Sequence, residues 1–298
     1  MGRPIVECVP NVSEGRRGDV VAAIAEAVRR TDGVRLLNVQ TDESHNRSVI
    51  TFAGPPAAVA DAAFALCARA VALIDMNAHR GAHPRLGAVD VVPFVPITEV
   101  TMAEAVRLAL ALGARIWEGL RVPVYFYAQA AQRPDRVRLP DIRRGEYEGL
   151  GQKMADPDWA PDAGEPAPHP TAGAVVVGAR RPLIAYNINL NTNDVAVAKK
   201  IARAVRESSG GLAAVQAMGV TSAAGQAQVS MNLLDYETTS ITAAYEAVRR
   251  AAAAAGVAIA ESEIVGLVPL DALMDAARAR LALRGFDRAQ ILETHLME

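Results

Sequence analysis

Residues 74–96 read IDMNAHRGAHPRLGAVDVVPFVP, with His79, Arg80, His83 and Arg85 close together and no acidic side chain between Asp75 and Asp90. The whole chain carries a formal net charge of −2, so this cationic cluster is local. It suits a small anionic molecule and not a polyanion, and no nucleic-acid partner is expected. Two imidazoles four residues apart could ligate a metal from one helix face. Here Gly81 interrupts any helix and Pro84 biases His83 towards an extended backbone. No CxxC, HExxH or further histidine stands nearby, so no metal is expected. Two readings remain, a fixed ligand-facing loop, favoured by the density of Arg, Gly and Pro, and a solvated surface loop with incidental histidines.

Other polar groups fall at the ends of apolar runs. The loop TDESHN, residues 41–46, precedes Arg47, whose fork could grip a carboxylate bidentately; a solvated connection is the alternative. Asn11, Ser13 and Glu14 follow another apolar run and carry the same two readings. Asn187, Asn189 and Asn191 alternate and so share one face of a strand, which must be wet or touch a polar ligand. Cys8 and Cys67 lie in apolar runs that would raise their pKa, so free thiols without catalytic use are expected. Neither GxGxxG nor GxxxxGK[ST] occurs, which argues against nucleotide binding.

The elements that must carry these groups follow from periodicity. Residues 5–9 read as a buried strand, 19–31 as a helix, and 34–39 and 47–53 as two strands. A long Ala-rich helix spans 57–74, and Thr101 with Glu104 forms a capping-box pattern ahead of a helix over 105–117. Residues 122–127 read as a strand, with Pro123 suggesting an edge, and 139–154 as a helix. The stretch 156–173 holds five prolines and reads as a long functional loop. The second half repeats this grammar: strands at 175–178, 183–190, 212–219, 228–234 and 258–268, with helices at 194–207, 241–255, 270–283 and 287–295. Strands arrive in adjacent pairs between helices, which predicts α+β layers and not a doubly wound parallel sheet.

At 298 residues the chain has room for two domains; with 51% hydrophobic and 21% charged residues its composition is that of a soluble globular protein. The N-terminus lacks a signal-type apolar region, and Asp61 and Arg69 interrupt the most apolar helix. No membrane association is expected, and a cytoplasmic location is the default.

The segments IVECVPNVSEGR, HNRSVITFAG and HRGAHPRLGAVDVVPF resemble the glutamate formiminotransferases, the folate-dependent family that also forms the front half of formiminotransferase-cyclodeaminase. The likeness continues through LPDIRRGEYEGL, WAPDAG, GARRPLIAYNINL and QVSMNLLDYE, covering nearly the whole chain. It implies two ferredoxin-like α/β subdomains, residues 1–178 and 179–298, with mixed sheets facing each other and helices outside, in a homodimer. It also implies transfer of a formimino group between 5-formiminotetrahydrofolate and L-glutamate, with tetrahydrofolate as carrier and no metal. The histidine of the G-x-H-P-R motif, His83, becomes the expected acid–base catalyst. Folate binding is expected at Ala163, Gly164, Glu165, Pro166, Ala167, Pro168, His169, Pro170, Thr171 and Ala172, and again at Met218, Gly219 and Val220. Arg47, Arg80 and Arg85 are candidate clamps for substrate anions. Formyl transfer or 5-formyltetrahydrofolate chemistry on the same scaffold, or a non-catalytic folate-binding module, are the alternatives.

Overall fold

The computed structural model describes residues 3–222 and 224–296 and resolves this grammar into two units, Met1–Arg180 and Arg181–Glu298. The first unit runs β1 (Ile5–Cys8), β2 (Asn11–Val12), α1 (Gly18–Arg29), β3 (Arg35–Asp42), β4 (Arg47–Gly54), α2 (Pro56–Leu73), β5 (Val89–Thr98), α3 (Met102–Leu120), β6 (Val124–Ala128), α4 (Leu139–Ile142), α5 (Glu146–Met154) and β7 (Val175–Ala179). Strands β1 and β2 lie in succession between β4 and β5, antiparallel to both, and β3 flanks β4. Up to β5 this is a βαββαβ unit with the sheet order of a ferredoxin-like fold. Beyond β5 the sheet gains β7 and then β6, each parallel to its neighbour. Strand β6, preceded by Pro123, is the edge strand the sequence suggested.

Alternation along the strands separates two cores. Val6, Cys8, Ile50, Phe52, Val92, Phe94, Val124, Phe126, Val175 and Val177 face α1, α2 and α3. Val91, Tyr125, Tyr127 and Val176 face the other way, onto Ile142, Leu150 and Met154 of α4 and α5. Helix α2 buries Val59, Ala62, Ala63, Leu66, Cys67 and Ala70, so its alanines form a tightly packed apolar face. Helix α3 opens with the expected capping box, Thr101 and Glu104 satisfying each other's backbone.

Two local findings differ from the sequence reading. Asn11 pairs with Val49 and Val91 as part of β2 and does not belong to a loop. The helix expected over 139–154 is broken between α4 and α5, where Gly145 has φ +90, a region that glycine enters freely. Arg143 caps the end of α4 and Glu146 opens α5.

The second unit runs β8 (Ile184–Leu190), α6 (Val195–Val205), β9 (Val215–Thr221), β10 (Ala227–Leu233), α7 (Ile241–Ala254), β11 (Ile259–Val265), α8 (Leu270–Leu281) and α9 (Leu292–Leu296). Its sheet order, β11-β8-β10-β9, is wholly antiparallel and again that of a ferredoxin-like βαββαβ unit. Ile184, Tyr186, Ile188 and Leu190 alternate towards α6 and α7. The opposite face is polar: Asn187 donates to Glu263, Asn189 to Glu261 and Gln228 to Asn189. Asn191 accepts from the Ala258 amide, so each asparagine of the NINLN run has a hydrogen-bond partner.

Candidate active site

Three loops of the first unit converge through Asn46, which sits in the left-handed region at φ +48. Its side-chain oxygen accepts from the Gly15 amide at 2.9 Å and its side-chain nitrogen donates to Arg80 O at 3.0 Å. Its own carbonyl accepts from His79 Nε2 at 3.0 Å. Gly81 permits the approach, since a side-chain carbon there would lie 2.3 Å from His45 O. Nearby, Ser13 Oγ donates to Gly87 O at 2.7 Å and Ser48 Oγ to Glu14 O at 2.5 Å. Val12, Ser13, His45, Asn46, Arg47, His79, His83, Arg85 and Asp90 line the resulting pocket.

The two histidines of the HxxxH pattern have different environments. His79 is buried, and both ring nitrogens are engaged: Nε2 donates to Asn46 O, and Nδ1 accepts from Arg85 Nε at 3.3 Å. Burial, together with the Arg85 charge, keeps it below its usual pKa, so it is a neutral structural ring. His83 is half-buried, and its Nδ1 is enclosed without a hydrogen-bond partner. Burial, then the charges of Arg47 and Arg143, push its pKa down to about 3. It is therefore an uncharged imidazole at neutral pH.

Arg47 reaches into this pocket from the first residue of β4. One guanidinium nitrogen donates to Asn11 Oδ1, its Nε has no partner, and it forms no ion pair with a carboxylate among the described residues. Burial, followed by repulsion from Arg143, brings it to about 10, which leaves it charged at neutral pH. Asp90 supplies the local negative charge. It is the extra residue of a bulge: Asn11 pairs with Val91 but Val12 with Val89, so β5 spends one more residue than β2. The bulge aims its carboxylate at the Leu86 amide, 2.9 Å away, and at Arg143. Two guanidiniums and one carboxylate thus surround His83 with a net positive charge.

The remaining expected residues occupy varied positions. Arg85 is buried but committed: it donates to Glu146 at 2.9 Å and to Glu148 at 2.6 and 2.9 Å as well as to His79. Arg80 is exposed and donates to the carbonyls of Asn77 and His79. In the proline-rich stretch, Ala163 bridges to Val124, and Gly164 at φ +109 lies against Trp117. Glu165, Pro166, Ala167 and Pro170 are exposed, whereas Pro168 and His169 are half-buried. His169 Nδ1 accepts the amides of Thr171 and Ala172. Thr171 O accepts from the Met76 amide at 2.8 Å, and Ala172 O from the Ala88 amide at 2.9 Å, so this end of the stretch is fastened to both ends of the histidine loop. Ala172 itself is core. The start is held by Arg136, buried over the Tyr125 ring and paired with Asp162.

In the second unit Met218 is exposed on β9 and Val220 shares its face, while Gly219 faces α6. A side-chain carbon at Gly219 would lie 2.2 Å from Lys199 N, so this glycine serves helix packing. Sequence reasoning missed Asp90 and Arg143. The one available signal for Arg143 was the glycine after the Arg143-Arg144 pair, inside an otherwise helical run.

The chain is an α+β protein with a doubled βαββαβ scaffold, and a pocket in its first unit sets a neutral imidazole beside a guanidinium that has no carboxylate partner among the described residues. Residues 5–180 match the family model described as the N-terminal subdomain of the formiminotransferase domain, and residues 185–286 match the formiminotransferase domain model. A glutamate formimidoyltransferase of Thermoplasma acidophilum is 50% identical, across 97% of this chain and 96% of its own. One from Streptococcus pyogenes serotype M1 is 43% identical across 98% and 99%. The formimidoyltransferase-cyclodeaminase of Rattus norvegicus is 47% identical across 92% of this chain and 52% of its own length. The chain belongs to the formiminotransferase family.

Proposed function

We propose that this protein is a glutamate formimidoyltransferase, moving a formimino group between N5 of tetrahydrofolate and the amino group of L-glutamate, with His83 as the base. The relatives that match it from end to end carry that name. The observation that carries the residue assignment is the contrast between two neighbouring imidazoles. His79 has both nitrogens occupied, whereas His83 is neutral, unpartnered and beside Arg47.

The chemistry asks for such a group. Glutamate arrives as an ammonium ion, and its nitrogen attacks the amidine carbon only after losing a proton. A neutral imidazole accepts that proton. Arg47 is the group best suited to hold a substrate carboxylate, because Arg85 already spends its donors on Glu146, Glu148 and His79. A carboxylate on Arg47 would also offset the positive charge that depresses His83, so the base would strengthen when substrate binds. The exposed residues 164–167 of the proline-rich stretch are accessible to a folate, which supports their assignment.

The test is turnover with formimino and formyl donors in parallel, glutamate as acceptor, and His83→Gln beside wild type. Wild type should use the formimino donor, and His83→Gln should lose about 10²–10⁴-fold in kcat while binding folate with similar affinity. Unchanged turnover in the variant would remove His83 from the chemistry, and exclusive use of the formyl donor would replace the reaction.

A further inference from the structure

His83 has a histidine neighbour that the reading above leaves without a role. The rings of His45 and His83 stand edge to face, centroids 6.0 Å apart and planes at 73°, and both line the pocket. His45 does not hang freely. Its Nδ1 meets Asp42 Oδ2 at 2.7 Å, while the other Asp42 oxygen accepts the His45 amide at 2.9 Å and Ser44 Oγ at 2.7 Å. A carboxylate can only accept, so Nδ1 is the donor, and Nε2 is the ring atom left to exchange a proton. The backbone of this loop lies close to the histidine loop, since a side-chain carbon at Gly81 would stand 2.3 Å from His45 O. The two imidazoles are thus in opposite settings: His83 has guanidiniums around it and no acceptor for Nδ1, and His45 has a carboxylate on Nδ1.

We propose that His45, oriented by Asp42, is a second proton-transfer residue of this site and gives its Nε2 proton to the nitrogen that departs from the formimino carbon. The inference rests on the formimino-transfer reading. The proton count calls for a second group. Over the reaction the attacking nitrogen sheds two protons, N5 gains one, and one is released. His83 takes the first proton from the glutamate ammonium and later passes it to water. The freed amine forms a bond to the formimino carbon, and the C=N π pair moves to the imino nitrogen. Protonated His45 then donates to N5 as the C–N5 bond breaks with its electron pair left on N5. The imino nitrogen's pair re-forms C=N, and neutral His45 takes the second proton from the newly bonded nitrogen, which restores it. Asp42 and Ser44 on its own loop, Arg47 and His83 across the pocket, Asp90 on β5 and Arg143 after α4 are the titratable and polar groups that bear on this pair.

The experiment is steady-state transfer from the formimino donor to glutamate by the full chain, as wild type, His45→Gln and Asp42→Asn, across a pH series and with added imidazole. His45→Gln should lose about 10²-fold in kcat with little change in donor KM, and imidazole should restore part of the rate. Asp42→Asn should lose about tenfold, because a ring free to turn presents the wrong nitrogen part of the time. It carries the test alone if His45→Gln does not fold. A kcat near that of wild type in the folded variants, or a loss that imidazole leaves untouched and that tracks a fall in Tm, would overturn the proposal while the formimino-transfer reading stands. A wild-type chain with no formimino transfer would overturn both.

Discussion

Arg143→Met removes one of the two guanidinium charges that bear on His83 and keeps most of the side-chain volume. His83 stands at about 3, with burial as the first cause and Arg47 and Arg143 next; Asp90 opposes them. At an effective dielectric of about 20, a unit charge ~4–8 Å from a titrating ring is worth about 2–4 kcal/mol, or roughly one and a half to three pK units. The substitution also frees the Asp90 carboxylate from its partner, which pushes the same way. The His83 pKa should therefore rise by about one to two units or more. The chain has five histidines, so selective ¹⁵N-histidine labelling with a pH titration reads each ring, and His83→Gln assigns the signal. The sign carries through to stability. His83 is depressed in the folded state, so the unfolded chain binds more protons between about pH 3 and about 6.5. The stabilisation from keeping this ring neutral is fully present above the unfolded value and is lost as pH falls through that window. Arg143→Met narrows the window and should soften the His83 share of acid destabilisation. A His83 pKa unchanged or lowered in the variant would refute the electrostatic account of this pocket.

Other perturbations probe the supports. Arg85→Met strips His79, Glu146 and Glu148 of their shared partner, and because the glutamates are partly exposed it should cost about 1–3 kcal/mol in urea unfolding; a raised glutamate KM with unchanged stability would instead put Arg85 on the substrate. Gly81→Ala forces a carbon against the His45 carbonyl, so the loops must part, and kcat should fall by about 10²-fold with a modest loss of Tm; wild-type kinetics would show that the two loops need not touch. Asp162→Asn leaves buried Arg136 without its counter-charge and should cost about 3–5 kcal/mol in denaturant titration, a loss under about 1 kcal/mol being incompatible with that burial.

Much of the fold was legible because each element carries its own period. The alternation over 184–190 and the capping box at Thr101 needed nothing from elsewhere in the chain. His83 was set apart from His79 only by the family resemblance, which rests on the G-x-H-P-R motif ending at Arg85. What stayed hidden depends on distant pairing. Asp90 is aimed inward only because β2 and β5 fall out of step by one residue, and that is fixed by Asn11 and Val12. Arg143 enters the pocket's field because a helix stops at Ile142 and the next begins only after Gly145, and a helical average over 139–154 conceals that gap. The separate fates of His79 and His83 follow from Arg85 and Asn46, which reach one ring and not the other. Gly219 and Met218 are adjacent in sequence, yet the strand turns them to opposite faces.

The place of β7 bears on how the first unit assembles. It is the last strand of that unit in sequence, yet it lies between β5 and β6 and pairs with both. During synthesis β5 can pair with β1 and β2 on one side, but its other edge and the β7-facing edge of β6 stay open until residues beyond 175 leave the ribosome. Parallel pairing over such separations pays its loop-closure entropy before any contact repays it, so this insertion belongs among the slow steps of folding. The proline-rich stretch runs directly into β7, and its clasp to Met76 and Ala88 forms where the strand docks. The pocket floor and its neighbouring loop thus become ordered together and late, and a chain truncated before β7 would hold His83 and Arg47 in an unfinished sheet.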